Sequence, residues 1–419
     1  MNSTRKSNLL RYLLIFLAVV GPGIITGSVD NDAGGITTYS VAGAQYGYDL
    51  IWTLIPSFIA LVVIQEMNAR MGIVTGKGLA DLIRESFGVK TTFFIFVCLF
   101  IADIGNTTAE FAGVAGSMQI FHLSKYLVVP LVAILVWLLV VKGNYRTAEK
   151  IFLLFSAFLL LYIVSALMTR PDWGQIYHSV IHPRFQRNTD YLSMVIGMIG
   201  TTIAPWMQFY MQSAVIEKGL TVEDYKYARW DVILGGIATV VVAFFIIVAC
   251  ASTLHTAGIK IEEAKDAAAS LEPLAGRMAS AIFAFGLFIA SVFSATILPL
   301  ATAFYICEAF GFEAGVDKTW QKAPVFYTLF TMIIIIAVAI ILIPGAPLIA
   351  ITIWTQILNG ILLPIVLISM IRMVNNRDIM GQYTNSPLSN AIGWVTVIIL
   401  IVLTAALFLI PLLDRLPAV

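Results

Sequence analysis

The feature that most constrains this chain is a succession of apolar stretches, each long enough to cross the hydrocarbon core of a bilayer as a helix of about 20 residues. Eleven are predicted, near residues 12–46, 50–69, 91–119, 126–141, 148–169, 190–216, 229–254, 278–309, 324–343, 346–374 and 389–412. Composition agrees. Of the 419 residues, 59% are AVILMFWYC and 12% are DEKR, about half the charge of a typical soluble protein and too little to coat a water-facing surface. An ordinary soluble enzyme is excluded, and the expectation is an all-α integral membrane protein with one transmembrane domain over residues 1–419, whose surroundings are the lipid bilayer.

Charge placement predicts orientation. With the N-terminus inside, 17 of the 25 Lys and Arg residues fall on cytoplasmic connections, as the positive-inside rule requires. The chain is therefore expected in the cell membrane as a multi-pass protein, with a cytoplasmic N-terminus and an extracellular C-terminus. The first apolar run follows Arg5, Lys6 and Arg11 but lacks a small-residue cleavage site, so it reads as a retained span. The connection Lys260 to Asp266 reads as a small exposed helix. A net charge of +1 without a basic block points to no nucleic-acid partner. Cys98, Cys250 and Cys307 lie far apart in apolar runs, giving neither a disulfide framework nor zinc spacing. They are expected to be small buried hydrophobes. The four histidines, His122, His178, His182 and His255, lie in or beside polar connections. Nothing indicates a cofactor or an obligatory protein partner.

Two spans are too long and interrupted, the first at Asp30-Asn31-Asp32-Ala33-Gly34-Gly35 and the sixth at Ala204-Pro205-Trp206. Five spans separate the interruptions, so residues 12–169 and 190–374 are expected to be two copies of a five-helix unit, inverted across the bilayer, with 389–412 appended. Breaks at corresponding places of two repeats mark a transporter binding site, where freed carbonyls and half-helix ends coordinate an ion. The residues after Asp32 supply the backbone freedom such a break needs. Pro205 withholds its N–H and frees carbonyls near Thr201 and Thr202. A carboxylate inside the bilayer costs about 3 kcal/mol, and no Lys or Arg shares the span of Asp32 near its depth. A bound cation supplies the missing charge, and oxygen ligands suit hard divalent ions. Asp30, two residues away, lines the aqueous approach or points elsewhere. Gln356 and Asn359, one turn apart on span ten, face the same cavity or form an interhelical hydrogen bond. Glu110 and Asp103 share a face of span three, and at least one belongs to a polar pathway or a salt bridge.

The stretch Gly21-Pro22-Gly23, Asp32-Ala33-Gly34-Gly35, Ala42-Gly43-Ala44-Gln45-Tyr46-Gly47-Tyr48, Gln65, Ala69-Arg70-Met71-Gly72 and Thr75-Gly76-Lys77 resembles the first two spans of the NRAMP divalent-metal transporters. The similarity runs over essentially the whole chain, is looser after the seventh span, and implies a LeuT-like fold of eleven helices with broken first and sixth helices. Its departures fall on functional positions. The family's first-span motif is Asp-Pro-Gly-Asn; here Ala33 replaces proline and Gly35 replaces the metal-binding asparagine. In the sixth span Ala204 stands for the family's methionine and Trp206 for its histidine. Gln208 and Gln212 follow on the same span, and Tyr210-Met211-Gln212-Ser213 matches the family's Tyr-x-His-Ser only with one residue inserted. On span three the family's acidic pair corresponds to Thr107 and Glu110.

Thioether ligands favour transition metals over hard ions, so alanine at 204 shifts the expected selectivity toward hard ions. Glycine at 35 and alanine at 204 also widen the pocket, which suits Mg²⁺, an ion that keeps several waters. Loss of the histidines and one acid removes groups that carry protons near neutral pH. These features resemble the NRAMP-related magnesium transporters. The resemblance implies a secondary transporter of Mg²⁺, and also Mn²⁺, working by alternating access without proton coupling. Its site is expected at Asp32, Gly35, Thr201, Ala204 and Gln356, with Asp30, Asn359, Glu110, Thr107, Trp206, Gln208 and Gln212 around it or along the pathway. Two other readings stay open: a proton-coupled Mn²⁺/Fe²⁺ importer relaying through Glu110, and a LeuT-like carrier of organic solutes. The second is disfavoured because Asp32 repels an anionic substrate. No enzyme motif such as HExxH is present in the sequence.

Overall fold

The computed structural model describes residues 22–142, 161–262, 264–268, 270, 278–316 and 318–413, and every regular element among them is helical. The first interrupted span is α1 (Pro22–Asp30) and α2 (Ala33–Tyr46). Then come α3 (Leu54–Thr75), α4 (Leu79–Gln119), α5 (Lys125–Val141), α6 (Leu161–Met168) and α7 (Trp173–Ile181). The second interrupted span is α8 (Thr189–Thr202) and α9 (Pro205–Glu217). The remainder is α10 (Tyr225–Cys250), α11 (Ala264–Ala268), α12 (Met278–Phe310), α13 (Pro324–Leu342), α14 (Leu348–Val374), α15 (Arg377–Met380) and α16 (Pro387–Leu413). Eight stretches among the described residues are long and apolar enough to cross a membrane. The expected start of span one, residues 12–21 with the Arg5, Lys6 and Arg11 cluster, and most of span five lie outside the described residues.

Burial is inverted relative to a soluble protein. Large apolar side chains such as Ile101, Leu131, Ile335 and Val402 are exposed, whereas Asp30, Asp32, Asp103, Glu110 and Asp231 are buried. A polar interior inside an apolar jacket is the arrangement that a hydrocarbon solvent selects.

One expectation is corrected and one refined. Span three, expected to begin near residue 91, starts just after a turn at Gly88, whose φ of +75° is a conformation that glycine adopts without a Cβ penalty; helical geometry also precedes that turn from Leu79. Leu79 to Phe87 is thus a separate connecting helix. The connection 260–266 is not a simple exposed helix: α11 begins at Ala264, and Ile261, Ala267 and Ala268 are buried in an apolar cluster with α2 and α12. Three apolar side chains on one short segment are enough to pull it down onto the bundle. Cys250 and Cys307 are buried as expected, Cys98 is partly exposed, and all three are free.

Glycines set the helix crossings. A Cβ on Gly23 would lie 2.7 Å from the Asp231 carbonyl carbon, one on Gly27 2.6 Å from Gly235 O, and one on Gly43 2.6 Å from Ile247 O. Both halves of the broken first span therefore lie backbone to backbone against α10. On the other side, a Cβ on Gly360 would sit 2.5 Å from Ile196 O, which places α14 directly on α8. Small residues allow such approach where lipid gives helices no hydrophobic reason to associate.

Gly360→Ala is expected to destabilise the protein by about 1–3 kcal/mol through overpacking, read as a lower thermal midpoint in detergent. Gly286→Ala on α12, where an added Cβ meets nothing within 4 Å, is the control and is expected to hold or raise the midpoint.

Candidate metal site

The first break is tighter than the sequence suggested. Only Asn31 and Asp32 are non-helical, because Asp32 immediately caps α2: its backbone is extended (φ −76°, ψ −171°) and its Oδ1 accepts the Gly35 N–H at 2.7 Å. Such a cap contributes about 1 kcal/mol. Gly34 and Gly35 already belong to the first turn of α2 and have no positive φ. Their requirement is space, not backbone freedom. A Cβ on Gly35 would come 2.5 Å from Asp30 O, and one on Gly34 would strike the Gln356 side-chain amide.

In the second break, α8 ends at Thr202, Ala204 is extended (φ −68°, ψ 143°) and Pro205 opens α9 at its first position, where its missing N–H costs nothing. That same missing N–H leaves Thr201 O without its ordinary helical donor. Ala204 O accepts from Gln208 Nε2 of its own helix at 3.2 Å. The two breaks are joined directly: Tyr39 OH lies 2.7 Å from Thr202 Oγ1, and Thr202 Oγ1 donates to Met198 O at 2.7 Å. Since threonine has one hydroxyl proton, Tyr39 is the donor in the first bond.

Span three closes a further side. Glu110 Oε2 accepts the Ala33 N–H at 3.2 Å, and its carboxyl lies within hydrogen-bonding range of Asp32. Both acids therefore sit at the N-terminus of α2, where the half-helix dipole and free N–H groups favour negative charge. A Cβ on Gly113 would collide with Ser291 and with Ala33 Cβ at 2.4 Å or closer, so glycine there lets α4 approach the break.

Of the two alternatives left open by the sequence for Gln356 and Asn359, the structure shows the interhelical hydrogen bond. Asn359 Nδ2 donates to Gln356 Oε1 at 3.0 Å and to Asn106 Oδ1 at 2.8 Å, and Asn106 Nδ2 returns a bond to Asn359 Oδ1 at 3.2 Å. Asn106 also donates to Asp103 Oδ1 at 3.0 Å, while Thr302 and Tyr305 donate to Asp103 Oδ2 at 3.0 and 2.7 Å. The result is one buried chain from Tyr305 and Thr302 through Asp103, Asn106 and Asn359 to Gln356. A carboxylate only accepts, so Asp103 orients each amide in turn. Gln356 ends with Oε1 toward Asn359 and its amide nitrogen against Gly34. Ligation through Oε1 uses its second lone pair.

The remaining predicted residues divide. Thr201 and Ala204 are buried at the break, and Thr107 Oγ1 is buried without a protein partner. Asp30 is buried at the last position of α1. Trp206 packs in the apolar cluster with Ile203 and Met207, its ring 6.2 Å from that of Tyr210. Gln208 accepts from Asn68, and Gln212 Nε2 donates to Lys77 O at 2.7 Å, two turns beyond the break. Sequence reasoning missed Asn106, Tyr39, Asn68, Thr302 and Tyr305; the one available signal was Asn106, a polar residue midway between Asp103 and Glu110.

Two clefts enter the bundle from the end that carries connections 120–124 and 343–347, and their walls include neighbours of the site residues, not the site residues themselves. One of about 550 Å³ has Thr37, Ala112 and Gly113 in its wall, within one helical turn of Ala33 and Glu110. The other, about 640 Å³, is walled by Ile353 and Ile357 beside Gln356. Toward the opposite end the rings of Phe96, Phe209 and Tyr305 pack at centroid distances of 4.9–5.4 Å within an apolar cluster that includes Trp206 and Phe293.

Comparison with known proteins gives the architecture its place. The chain is 26% identical to the divalent metal cation transporter MntH of Nostoc sp., over 97% of this chain and 94% of that one. It is 25% identical to MntH of Klebsiella pneumoniae subsp. pneumoniae, over 92% of each. A crystal structure of the Eremococcus coleocola manganese transporter with a bound aromatic bis-isothiourea compound is similar, with a TM-score of 0.74 and 22% identity over 96% of this chain and 87% of that one. Mhp1, a nucleobase-cation-symport-1 family transporter, is similar at a TM-score of 0.58 and 13% identity, over 93% of this chain and 91% of that one. The fold is thus the expected LeuT-like membrane fold. Residues 23–410 match the Nramp family, described as natural resistance-associated macrophage protein-like, and the chain belongs to that family of membrane transporters, not to an enzyme family.

Proposed function

We propose that the chain carries divalent metal cations through the membrane by alternating access, with Mg²⁺ as its main substrate, Mn²⁺ as a second, and no coupled proton. The names of the MntH relatives and of the manganese transporter support the divalent class. The observation that carries the finer reading is the donor set. Buried atoms at the break without a protein partner are oxygens: Asp30 Oδ1 and Oδ2, Asn31 Oδ1, Thr107 Oγ1 and Glu110 Oε1. The nearby thioethers are turned elsewhere, Met207 into an apolar cluster and Met211 toward Thr26. Oxygen without sulfur or imidazole selects hard ions. Among the described residues, no three His, Cys, Asp or Glu side chains converge to hold a metal. An ion there keeps part of its water shell, which suits Mg²⁺.

Asp32, Gln356 and the carbonyls around Thr201 and Ala204 are the ligands in this reading, Gly35 leaves room for water, and Asn359 orients Gln356. Described basic residues gather at the end opposite the clefts, including Lys77, Arg84, Lys90, Lys318, Lys322 and Arg377. With that end cytoplasmic, the clefts open outside and the aromatic packing closes the inside. An inside-negative potential then supplies about 4.6 kcal/mol per 100 mV to a divalent ion, twice the single-charge value, so uptake needs no proton. The proton-coupled alternative rests on Glu110, which touches Asp32 and keeps one oxygen without a protein donor.

Proteoliposome uptake with internal pH monitored separates these readings. Mg²⁺ is expected to enter, and to suppress Mn²⁺ entry at millimolar concentration, with no change in internal pH. Mn²⁺ uptake indifferent to millimolar Mg²⁺ rejects the selectivity, and acidification tracking metal entry rejects the uncoupled mechanism. Asp32→Ala is expected to abolish uptake of both ions. Ala204→Met is expected to move preference toward Mn²⁺ over Mg²⁺ in the same competition assay; an unchanged ratio assigns the selectivity to Gly35 and pocket width.

A further inference from the structure

Five carboxylates are buried among the described residues: Asp30, Asp32, Asp103, Glu110 and Asp231. Four have protein donors that account for their place. Asp32 takes the Gly35 N–H, Glu110 the Ala33 N–H, Asp231 the Gly23 N–H at 2.6 Å, and Asp103 takes Asn106, Thr302 and Tyr305. Asp30 differs. Both of its carboxylate oxygens are buried, and no donor among the described residues reaches either. It is the last residue of α1, so its charge stands at the negative end of a half-helix dipole, the end that favours a cation. Neighbouring carbonyls of that helix end are already served: Gly27 O by Thr239 Oγ1 at 2.9 Å and Asn31 Nδ2 at 3.4 Å, and Val29 O by Ser294 Oγ at 3.4 Å.

The surroundings add negative charge instead of removing it. Asp30 is within electrostatic reach of Asp32 and of the Tyr39 ring whose hydroxyl binds Thr202 at the second break. Ion pairs among the described residues all lie elsewhere, at Arg70–Glu66, Lys77–Glu85, Arg84–Asp81 and Lys318–Glu313. A structural role answers for Asp32, Asp103, Glu110 and Asp231, whereas among the described residues no donor or basic group favours the burial of an ionised Asp30, and a cation would.

We infer that Asp30 is a direct ligand of the transported divalent cation, held between the end of α1 and the Tyr39–Thr202 link, with Asp32 beside it. This rests on the cation-transport reading and deepens it. Asp32 divides its charge between capping α2 and the ion, while Asp30 gives its whole charge to the ion. Two carboxylates match a divalent charge, and a pair of hard oxygen ligands strengthens preference for Mg²⁺. Gly35 belongs to the same device, since any side chain there would push on Asp30 O at 2.5 Å and shift the carboxylate with its backbone.

The test uses the full-length protein, purified in detergent for ion-dependent thermal shift and reconstituted for uptake, with Mg²⁺ and Mn²⁺ as separate probes. Asp30→Asn is expected to keep the ion-free thermal midpoint, lose most of the ion-induced shift, and raise the KM for either ion by about tenfold or more, as loss of a charged ligand does. An unchanged or lowered KM in the folded variant overturns the assignment. If Asp30→Asn does not fold, Asp30→Glu decides, because its extra methylene moves the carboxylate: a changed ratio of Mg²⁺ to Ca²⁺ uptake supports ligation, and an unchanged ratio overturns it. Failure of the Mg²⁺ reading is seen separately in the wild-type protein, and the Asp30 comparison then stands on Mn²⁺ alone.

Discussion

Everything at the centre of this protein follows from backbone polar groups that two broken helices expose inside an apolar slab. An unsatisfied N–H or C=O in such a medium costs several kcal/mol, so a break persists only where other groups answer it. Here the answers are specific and reciprocal. The start of α2 is met by Asp32 and Glu110 and the end of α1 by Thr239, Asn31 and Ser294, while at the end of α8 Thr202 Oγ1 serves Met198 O and Thr201 O is left without its ordinary helical donor. Asp32 and Glu110 serve first as partners for the backbone. Their charge then makes the same place attractive to a cation.

Much of this was legible in the chain. Long apolar runs specify spanning helices because hydrocarbon tolerates little else, and acidic or proline-bearing interruptions within them stand out against that background. The break at Ala204 and Pro205 lies where proline chemistry puts it. At the first break the sequence was misleading in one respect: two consecutive glycines suggest backbone freedom, yet Gly34 and Gly35 are ordinary helical residues, the first kept bare by Gln356, distant in sequence, and the second by the Asp30 carbonyl across the break. Composition alone does not distinguish a glycine needed for its φ from one needed for its lack of volume.

The polar chain through span three was the least legible part. Asp103 and Glu110 share a helix face, and each was open to a pathway or a salt bridge. They serve different neighbourhoods instead: Glu110 meets the first break, while Asp103 is enclosed by Asn106, Thr302 and Tyr305. The Asn106–Asn359 amide pair joins residues 253 positions apart, and periodicity within one helix carries no information about a partner on another. Buried amide pairs in membranes contribute about 0.6 kcal/mol per bond on average, so their value here lies in orienting Gln356 more than in holding the bundle.

The contacts of Gly23, Gly27 and Gly43 with α10 bear on how such a molecule moves. Where side chains interdigitate, one helix slides past another by changing rotamers. Backbone against backbone has no rotamers to change, so relative sliding meets hard repulsion at once. The broken first span and α10 are thus geared together as one mechanical part, and among the described residues of that span the non-helical ones between its two halves are Asn31 and Asp32. In the proposed transport cycle a rearrangement of this part bends there, which puts Asp32, a proposed ligand, at the joint itself.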